Sequence, residues 1–559
     1  MATEPQRPRE RIISMQIPDI NLDALPDPAT RQLVGQLLNL IETLAAENAA
    51  LRLQLQQLRD ENARLKGGSA KPDVKPPLPP APPDHSSEAE RRTPTPRSKP
   101  KKNATLTVTR EQHCVVDPAT LPAEAIRHDT AEVLVQDLVL QPEVIRFVRE
   151  VWLVPSTGQT ITAPLPDGYH GGFGPHIRAL TLTLGHAANV SQPALLTLFQ
   201  DAGVAIGSGT IARWLGDHTA QWHDEALAIH RAGLASSDWQ ATDQTSTRVD
   251  GQNEVCHVLG NACFTSYHTR PGGTRQDVLA VLWGQEPLVR LNDDALAWLA
   301  VTSLSPRLQA RLLVLLPWET DLSWAELATR LAEGGVQLSA QQRQQVGDAL
   351  AVAAYHAQTD VPIVRWLLSD DATVYHDITD AHALCWVHDG RHYAKLSPVV
   401  AHHQRRLADF RRAYWAFYRE LVAYRAAPSV AERSRLSTAF DQLVAQRTGY
   451  QALDARIAKT AANRALLLAV LDHPELPVHN NDMELAARRR VRKRDVSFGP
   501  QSRGGARAWD TFQTISATAA KLGVRLYHYL CDRLKHPTTT PSLAERIGER
   551  SRTAELSAA

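Results

Sequence analysis

The sequence His479-Asn480-Asn481-Asp482-Met483-Glu484 runs directly into Leu485-Ala486-Ala487-Arg488-Arg489-Arg490-Val491-Arg492-Lys493-Arg494. It places the Glu484 carboxylate, two amides and many cations at the start of one predicted helix. Eight Arg or Lys residues lie between Arg488 and Arg507, where Asp495 is the sole acid. Such crowding suits a carboxylate that works beside a polyanion, although most charge runs are solvated helix faces. The positions of the other acidic residues decide between these two interpretations. They also decide which fold class the sequence predicts.

Two further sites carry acids at predicted strands. Residues 239–249 predict a strand that contains Asp243, and two more strands and a helix follow before residue 284. The apolar run 363–369 ends in Asp370 and Asp371, as a buried parallel strand ends at an active-site edge. Taken singly, each acid is a weak signal because most strand-end aspartates only cap turns.

The order of the three acidic sites is more informative than any one of them. An acid on a first strand, an acid at the tip of a later strand and Glu484 on a helix follow the order of an RNase H-like nucleotidyl-transfer core. Such a core needs three acids because two Mg²⁺ ions must be held about 4 Å apart. The sequence therefore predicts an α/β fold with an RNase H-like mixed-sheet catalytic core.

Four motifs carry a resemblance to a known family. They are Asp243-Gln244-Thr245, Asp370-Asp371-Ala372-Thr373-Val374-Tyr375, Cys385-Trp386-Val387-His388 with Arg391 and Tyr393, and Asn480-Asn481-Asp482-Met483-Glu484-Leu485 followed by Arg494-Asp495-Val496-Ser497-Phe498-Gly499. With them the chain resembles a transposase of the insertion-sequence-66 family, a DDE-type group, over residues 105–535. The spacing to Tyr375 favours Asp370 over Asp371 as the second ligand. The chain departs from the family pattern at Gln244 and Leu485, which replace Glu and Arg.

The resemblance implies a function and a set of site residues. Asp243, Asp370 and Glu484 are expected to be catalytic and to hold Mg²⁺ or Mn²⁺. The expected DNA-binding residues are Asn480, Asn481, Arg488, Arg489, Arg490, Arg492, Lys493, Arg494 and Arg213. Cys385 and His388 are interpreted as structural groups near the site, because two ligands alone do not make a zinc site.

The implied activity is metal-dependent strand cleavage and strand transfer of an insertion sequence, with the element ends and the target DNA as partners. The alternative is a catalytically inactive DNA-binding regulator derived from a transposase, with a zipper and a helix-turn-helix. Accessory proteins are compatible with either function, and the sequence identifies none.

Leucines at positions 37, 44, 51, 58 and 65 repeat every seven residues and predict a coiled coil. With these at d, Asn48 and Asn62 fall at a, which favours a parallel pair in one register. Glu47 at g then faces Arg52 at e of the second copy. We therefore expect a homodimer through this segment, although an amphipathic helix packed on its own domain has the same pattern.

The predicted organisation begins with a disordered N-terminus and ends with a disordered tail. It comprises residues 1–32 (disordered), 33–66 (coiled coil), 67–104 (Pro-rich basic linker), 105–165 (degenerate zinc-ribbon-like β segment), 166–230 (helix-turn-helix-like), 231–287 and 361–535 (catalytic core), 288–360 (helical insertion) and 536–559 (disordered). Because Cys114 is the only cysteine in the ribbon segment, we expect it to be metal-free.

Composition limits the remaining choices. The 559 residues carry 61 basic and 60 acidic side chains, a net charge of +1, so any DNA affinity must come from local patches. Five scattered cysteines without a CxxC pair predict no disulfide framework. The chain has no run of about 18 apolar residues, so we expect no membrane contact and a cytoplasmic, nucleoid-associated bacterial protein.

Overall fold

The computed structural model describes residues 19–20, 22–65, 106–122, 124–127, 129–216 and 220–558. The predicted linker 67–104 and most of the predicted disordered N-terminus lie outside these residues. Within the described ranges, no helix combines the length and the apolar character that a bilayer span requires.

The first long helix, α1, covers Pro28–Leu65. Asp27 caps it by accepting the backbone N–H of Thr30 at 2.8 Å, and a short 3-10 turn at Leu22–Ala24 precedes it. The prediction that residues 1–32 are disordered is wrong for residues 22–24 and 28–32. The reason is long-range packing, because Leu22 is buried in a cluster with residues of α1 and with Val400.

The segment 105–165 contains a β-hairpin near its end. Strand β1 (Val151–Val154) pairs antiparallel with β2 (Gln159–Thr162), so this part of the predicted β segment does form strands. Between residues 106 and 150, the described residues form a 3-10 turn at Pro118–Thr120 and no strand. The prediction of β structure for the segment 105–165 is therefore wrong for the described residues before Val151, because no neighbouring strand supplies their hydrogen bonds.

The next region is helical. Its helices are α2 (Pro175–Leu182), a π-helical turn (Thr183–Ala187), α3 (Gln192–Asp201), α4 (Ser208–Leu215) and α5 (Ala220–Ala235). Ser191 caps α3 by accepting the Ala194 N–H at 3.4 Å, as a serine followed by a first-turn proline predicts. A small apolar cluster that includes Phe199 and Ile211 holds α3 against α4.

Three antiparallel strands follow, namely β3 (Trp239–Val249), β4 (Gln252–Gly260) and β5 (Thr265–Arg270). A two-residue turn joins the first two, and both Asp250 and Gly251 have positive φ angles of 48° and 74°, as a type I′ hairpin requires. Helix α6 (Arg275–Trp283) begins with a capping box between Thr274 and Asp277.

The segment 288–360 contains four helices and one short strand pair. The elements are β6 (Val289–Arg290), α7 (Asp293–Ala300), α8 (Pro306–Leu315), β7 (Asp321–Leu322), α9 (Trp324–Glu333) and α10 (Ala340–Ala357). Their apolar faces share one core with α6 and with Leu259 and Leu367 of the main sheet. The segment therefore covers one face of that sheet.

Two more strands complete the main sheet, β8 (Trp366–Ser369) and β9 (Ala381–Leu384). In the described residues the order is β5-β4-β3-β8-β9. Strand β3 is antiparallel to β4 but parallel to β8, and β8 is parallel to β9. The sheet is thus mixed, and the carboxyl ends of β3, β8 and β9 lie at one edge. The predicted α/β class is confirmed at this level.

The C-terminal third is helical. Its helices are α11 (Trp386–Ala394), α12 (Ala401–Ala426), α13 (Val430–Val444), α14 (Gln451–Ala462), α15 (Arg464–Leu467), α16 (Ala469–Asp472), α17 (Asn481–Ser497), α18 (Arg503–Lys521), α19 (Leu526–Lys535) and α20 (Leu543–Ala558). Small and apolar residues of α17 and α18 pack on the second face of the sheet, against Ala241, Val258 and Leu368.

The predicted disordered tail 536–559 is wrong for the residues of α20. Leu543 and Ile547 are both fully buried in a cluster with α2, α5, α18 and α19. The backbone N–H of Leu543 also donates to the Glu225 carboxylate at 3.0 Å. Two apolar anchors among many polar residues are enough to hold a helix on a preformed surface, and local composition does not reveal that surface.

Candidate active site

Asp243 lies within β3 and Asp370 directly follows β8, at the same level of two neighbouring parallel strands. Strand β3 pairs with β8 so that Ala241 lies opposite Leu368, and each aspartate comes two residues after its member of that pair. Side chains two residues apart share a face of a sheet, and neighbouring strands are about 4.8 Å apart. Both carboxylates therefore belong to the face that α17 covers, beside the carboxyl end of β8.

The next residue, Asp371, has different surroundings from Asp370. It is exposed, and its two carboxylate oxygens contact His376 Nε2 at 3.3 Å and Asn463 Nδ2 at 3.2 Å. The negative charge of Asp370, in contrast, acts on Asp243. The geometry thus agrees with the interpretation that Asp370 is the second acid of the site.

Glu484 lies in the first turn of α17 with its side chain 9% exposed. Its Oε2 accepts a hydrogen bond from Arg391 Nη2 at 2.7 Å, and Arg488 lies 3.9 Å from the same oxygen. The other oxygen, Oε1, is 3.6 Å from His388 Nε2 and has no hydrogen-bond partner among the described residues. One carboxylate oxygen of Glu484 is therefore left for a further ligand.

The three acids influence one another electrostatically. The pKa of Asp243 is raised to about 6, chiefly by burial and also by the negative charges of Glu484 and Asp370, against a hydrogen bond from the Gln244 N–H at 2.9 Å. The positive charge of Arg391 offsets these effects only in part, so the buried carboxylate would gain from a further counter-charge. The cluster has the electrostatics of a cation site.

Asn480 and Asn481, which the sequence predicted to bind DNA, are 2% and 3% exposed. Asn480 Nδ2 donates to the carbonyl oxygen of Thr242 at 2.5 Å, and its backbone N–H donates to Cys385 Sγ at 3.2 Å. The prediction that these two residues contact DNA is wrong, because DNA cannot reach buried amides. Asn480 instead attaches the start of α17 to the strand that carries Asp243.

The arginine-rich part of α17 is divided between two faces. Arg490 is fully buried, forms an ion pair with Asp510 and lies over the rings of Tyr267 and Trp509. Lys493 is 4% exposed and donates to the carbonyl oxygen of Gly185 at 2.6 Å. The prediction that these two cations bind DNA is wrong, because α17 packs this face against the sheet and α18.

The other predicted DNA contacts have exposed or half-buried side chains. Arg488, Arg489 and Arg492 are exposed on α17, and Arg213 is exposed on α4. Arg494 is half-buried and donates to the carbonyl oxygen of Ser246 at 2.6 Å. The four exposed arginines remain accessible to a phosphate backbone.

Cys385 and His388 lie next to Glu484. One ligand atom from each of the three residues lies within 4.8 Å of the others. The thiol of Cys385 is buried, and it accepts the N–H of Asn480. Burial lowers the pKa of His388, although the charge of Glu484 opposes this effect. These groups therefore form a second donor set that shares Glu484 with the three carboxylates.

Comparison with known proteins identifies the family of the chain. An uncharacterized protein, y4jO of Sinorhizobium fredii (strain NBRC 101917 / NGR234), is 30% identical to the chain over 318 residues, which cover 54% of this chain and 94% of that protein. A family model described as the transposase IS66 family matches residues 354–508. The chain belongs to the transposase IS66 family. No solved structure gives a significant match.

Membership of the IS66 family gives the site a chemical context, since transposases act on DNA and use divalent metal ions. The matched range contains Asp370, Cys385, His388 and Glu484 but not Asp243. Carboxylate oxygens suit Mg²⁺ or Mn²⁺, whereas a thiol and an imidazole suit softer metals. The raised pKa of Asp243 and the unpartnered Oε1 of Glu484 fit a hard divalent cation.

Arg391 is a site residue of this IS66 chain that sequence reasoning did not assign. It donates to Glu484 at 2.7 Å and to His388 Nε2 at 3.1 Å. Its spacing of one helical turn from His388 was visible in the sequence, because residues three apart share a helix face. The partner of that face, Glu484, is 93 residues away, so only the fold connects them.

Proposed function

We propose that this chain cuts and joins the DNA strands of an insertion sequence by metal-dependent phosphoryl transfer. Asp243, Asp370 and Glu484 hold the divalent ions, as in a DDE-type, RNase H-like transposase. The single observation that carries the proposal is that two acids at equal height on parallel strands lie near a third acid on the helix that covers them. The strand order, with β3 central and the carboxyl edges of β3 and β8 together, is the one expected of such a core.

The proposed reaction has two steps. A water oxygen attacks the phosphorus at the element end, and the bond from that phosphorus to the 3′ oxygen breaks, which leaves a 3′-hydroxyl. The oxygen of this hydroxyl then attacks a target phosphorus, and the target's own bond to its 3′ oxygen breaks. DNA is never attached to the protein. When bound, the divalent ions activate the attacking oxygen and stabilise the leaving oxygen.

Protein side chains supply the positioning. Asn480 fixes the distance between Glu484 and Asp243 through its bond to β3. Arg391 neutralises Glu484 while the metal is absent. Arg488 and Arg492 follow Glu484 at intervals of four residues, so they share its side of α17. They are placed to hold phosphates that enter the site.

The first test is metal binding without DNA. Calorimetric titration of Mn²⁺ into the full chain should show binding that Asp243→Asn, Asp370→Asn and Glu484→Gln each weaken at least about tenfold, since each removes an anionic ligand. Asp371→Asn is the matched control, because that acid is adjacent in sequence but bonded to His376 and Asn463. Equal binding by Asp370→Asn and the native chain would refute the ligand assignment.

The second test is cleavage of DNA from the borders of the element that encodes the chain. Native protein with Mg²⁺ should nick the strand at the element end, and Asp370→Asn should bind the same DNA without nicking it. Native protein that binds and never nicks, while retaining metal affinity, would favour the inactive regulator over the transposase.

We further propose that α3 and α4 read the element ends as a helix-turn-helix. The support is the short Gly-containing connection between two packed helices, with Arg213 exposed on the second. Arg213→Ala should weaken binding to element ends more than binding to random duplex. Equal weakening of binding to element ends and to random duplex would mean that Arg213 contacts phosphate and does not read the sequence.

The proposed homodimer concerns only the outer part of α1. The a positions Val34 and Ile41 pack against the chain's own residues, and the Glu42 carboxylate accepts the N–H groups of Val399 and Val400. In contrast, the leucines at 44, 51, 58 and 65 are 49–83% exposed. We propose that residues 44–65 pair with a second copy in parallel, with Asn48 and Asn62 setting the register.

Light scattering tests the dimer. Leu51→Lys combined with Leu58→Lys should convert the full chain from dimer to monomer, while metal binding stays unchanged because both side chains are exposed and contribute nothing to the three-acid site. A monomeric native chain at micromolar concentration would refute the pairing.

A further inference from the structure

Phe498, at the end of α17, has an unusual conformation. It is the C-cap of the helix with φ of 57° and ψ of 15°, in the left-handed region. Its side chain is nevertheless 84% exposed. The backbone around it is well fixed: its N–H donates to the Arg494 carbonyl at 2.7 Å, and the carbonyl of Pro500 accepts the Asp250 N–H at 3.0 Å.

Neither feature of Phe498 benefits the fold. The left-handed region is unfavourable for residues with a Cβ and most of all for bulky ones, so glycine or asparagine is usual at this helix end. An exposed aromatic ring also gains little from burial. The next residue, Gly499, does have a structural reason, because a Cβ there would lie 2.7 Å from the Arg248 carbonyl oxygen. A strained and exposed residue is a reason to look for a ligand.

The surroundings indicate the ligand. Glu484, Arg488 and Arg492 occur at intervals of four residues, so the two exposed arginines form a stripe from the candidate site toward Phe498. Arg503 and Arg507 are exposed near the start of α18, just beyond Phe498. Fourteen residues of helix separate Glu484 from Phe498, which is about 21 Å, or about six nucleotides at 3.4 Å each.

We infer that Phe498 is a base-stacking residue that contacts DNA about six nucleotides from the phosphate that reacts. The arginine stripe holds the backbone, and the ring stacks on a base or enters a base step. Aromatic rings serve this purpose in proteins that bind single strands or distort duplexes, because every base has a π face. The strained backbone directs the ring outward before DNA arrives. This inference rests on the proposed function.

The test compares substitutions at position 498 in the full chain. The probe is a fluorescent forked DNA of mixed sequence with a 15-nucleotide single-stranded arm. Phe498→Ala should weaken binding roughly 5- to 150-fold, the range for losing one base–aromatic stack, whereas Phe498→Trp should bind like the native chain. Phe498→Asn keeps a residue that tolerates the left-handed region, so it should weaken binding while raising the melting temperature.

The salt dependence separates stacking from charge. Phe498→Ala should leave the slope of log Kd against log salt unchanged, whereas Arg492→Gln should reduce it by about one. Phe498→Ala that binds within twofold of the native chain, or Phe498→Asn that lowers the melting temperature, would overturn the role of Phe498 alone. Native protein that binds no DNA would overturn the proposed function and this inference together.

Discussion

Asn480 donates its side-chain N–H to the backbone carbonyl of Thr242 at 2.5 Å. This bond joins two distant parts of the chain, since 238 residues separate donor from acceptor. Thr242 precedes Asp243 on β3, and Asn480 precedes the helix that carries Glu484. This hydrogen bond therefore helps to set how far apart two of the three acids lie, and we expect the metal affinity of the proposed site to depend on that separation.

Asn480→Ala should weaken Mn²⁺ binding and lower the free energy of unfolding by about 1–3 kcal/mol, the usual cost of leaving a buried polar group without its partner. The two effects should appear together, because the same bond stabilises the fold and positions Glu484. Urea unfolding and metal titration on one preparation measure both.

Asn463→Ala is the matched control for Asn480→Ala. Asn463 Nδ2 donates to the exposed Asp371 at 3.2 Å, outside the three-acid cluster. It should change neither quantity beyond about 0.5 kcal/mol. Loss of metal affinity in this control would mean that the site extends to Asp371.

Asp243→Asn should stabilise the metal-free protein. The pKa of Asp243 is raised to about 6 by burial and by Glu484 and Asp370, whereas the unfolded value is about 3.9. The folded state therefore holds this proton more tightly, so the ionised group destabilises the fold above about pH 6. The amide lacks this cost, and we expect a gain on the order of 1–3 kcal/mol at pH 7.5.

The advantage of Asp243→Asn should shrink as pH falls through about 6 and vanish only below the unfolded pKa of about 3.9, where the native carboxyl is protonated in both states. Thermal unfolding with a chelator present measures it. Added Mn²⁺ should reverse the order, because only the native chain gains from the metal. A variant less stable than the native chain at pH 7.5 without metal would contradict the electrostatic account.

Arg490→Met should lower the stability of the fold, whereas Arg492→Met should weaken DNA binding. Removal of Arg490 leaves Asp510 buried without its partner, which should cost about 3–5 kcal/mol of stability. Arg492 is exposed, so its loss should change stability by less than about 0.5 kcal/mol and lower the salt slope of DNA binding instead. Chemical unfolding and salt-dependent binding assays distinguish them.

The double variant Arg490→Met with Asp510→Leu should recover part of the stability, because it removes both buried charges. If Arg490→Met instead kept native stability and lost DNA affinity, the sequence-based assignment of Arg490 to DNA binding would be restored.

The sequence was enough to predict which elements carry the three acids. It was not enough to predict which cations of α17 face the solvent and which are buried. Asp243 and Asp370 were recognisable because strand patterns and turn residues are local. Arg490 and Lys493 were predicted to bind DNA because composition does not distinguish the two faces of a helix. Their spacing from Met483, Ala486 and Ala487 does match one helix face, but small alanines make a weak apolar stripe. Only the packing of α17 on the sheet shows that this face is buried.

The two predictions of disordered ends are each wrong in part, at residues 22–24 and 28–32 and in α20, for a related reason. Leu22 packs with Val400, and Leu543 packs with helices hundreds of residues earlier in the chain. Such contacts depend on surfaces that form only after the rest of the chain has folded. Local composition predicts whether a segment can fold alone, and these segments do not need to.

Arg391→Gln should change metal affinity and cleavage rate in opposite directions. Arg391 donates to Glu484 Oε2 at 2.7 Å, so a metal ion must compete with a guanidinium for that oxygen and is repelled by its charge. Removal of the charge should tighten Mn²⁺ binding several-fold. It should slow cleavage, because Glu484 loses the bond that orients it and the entering phosphate loses a cation. Calorimetry and single-turnover cleavage measure the two effects separately.

Arg391→Lys, which keeps the charge, should leave Mn²⁺ affinity near the native value. Weaker Mn²⁺ binding by Arg391→Gln would contradict competition and would mean that Arg391 holds Glu484 in its metal-binding position.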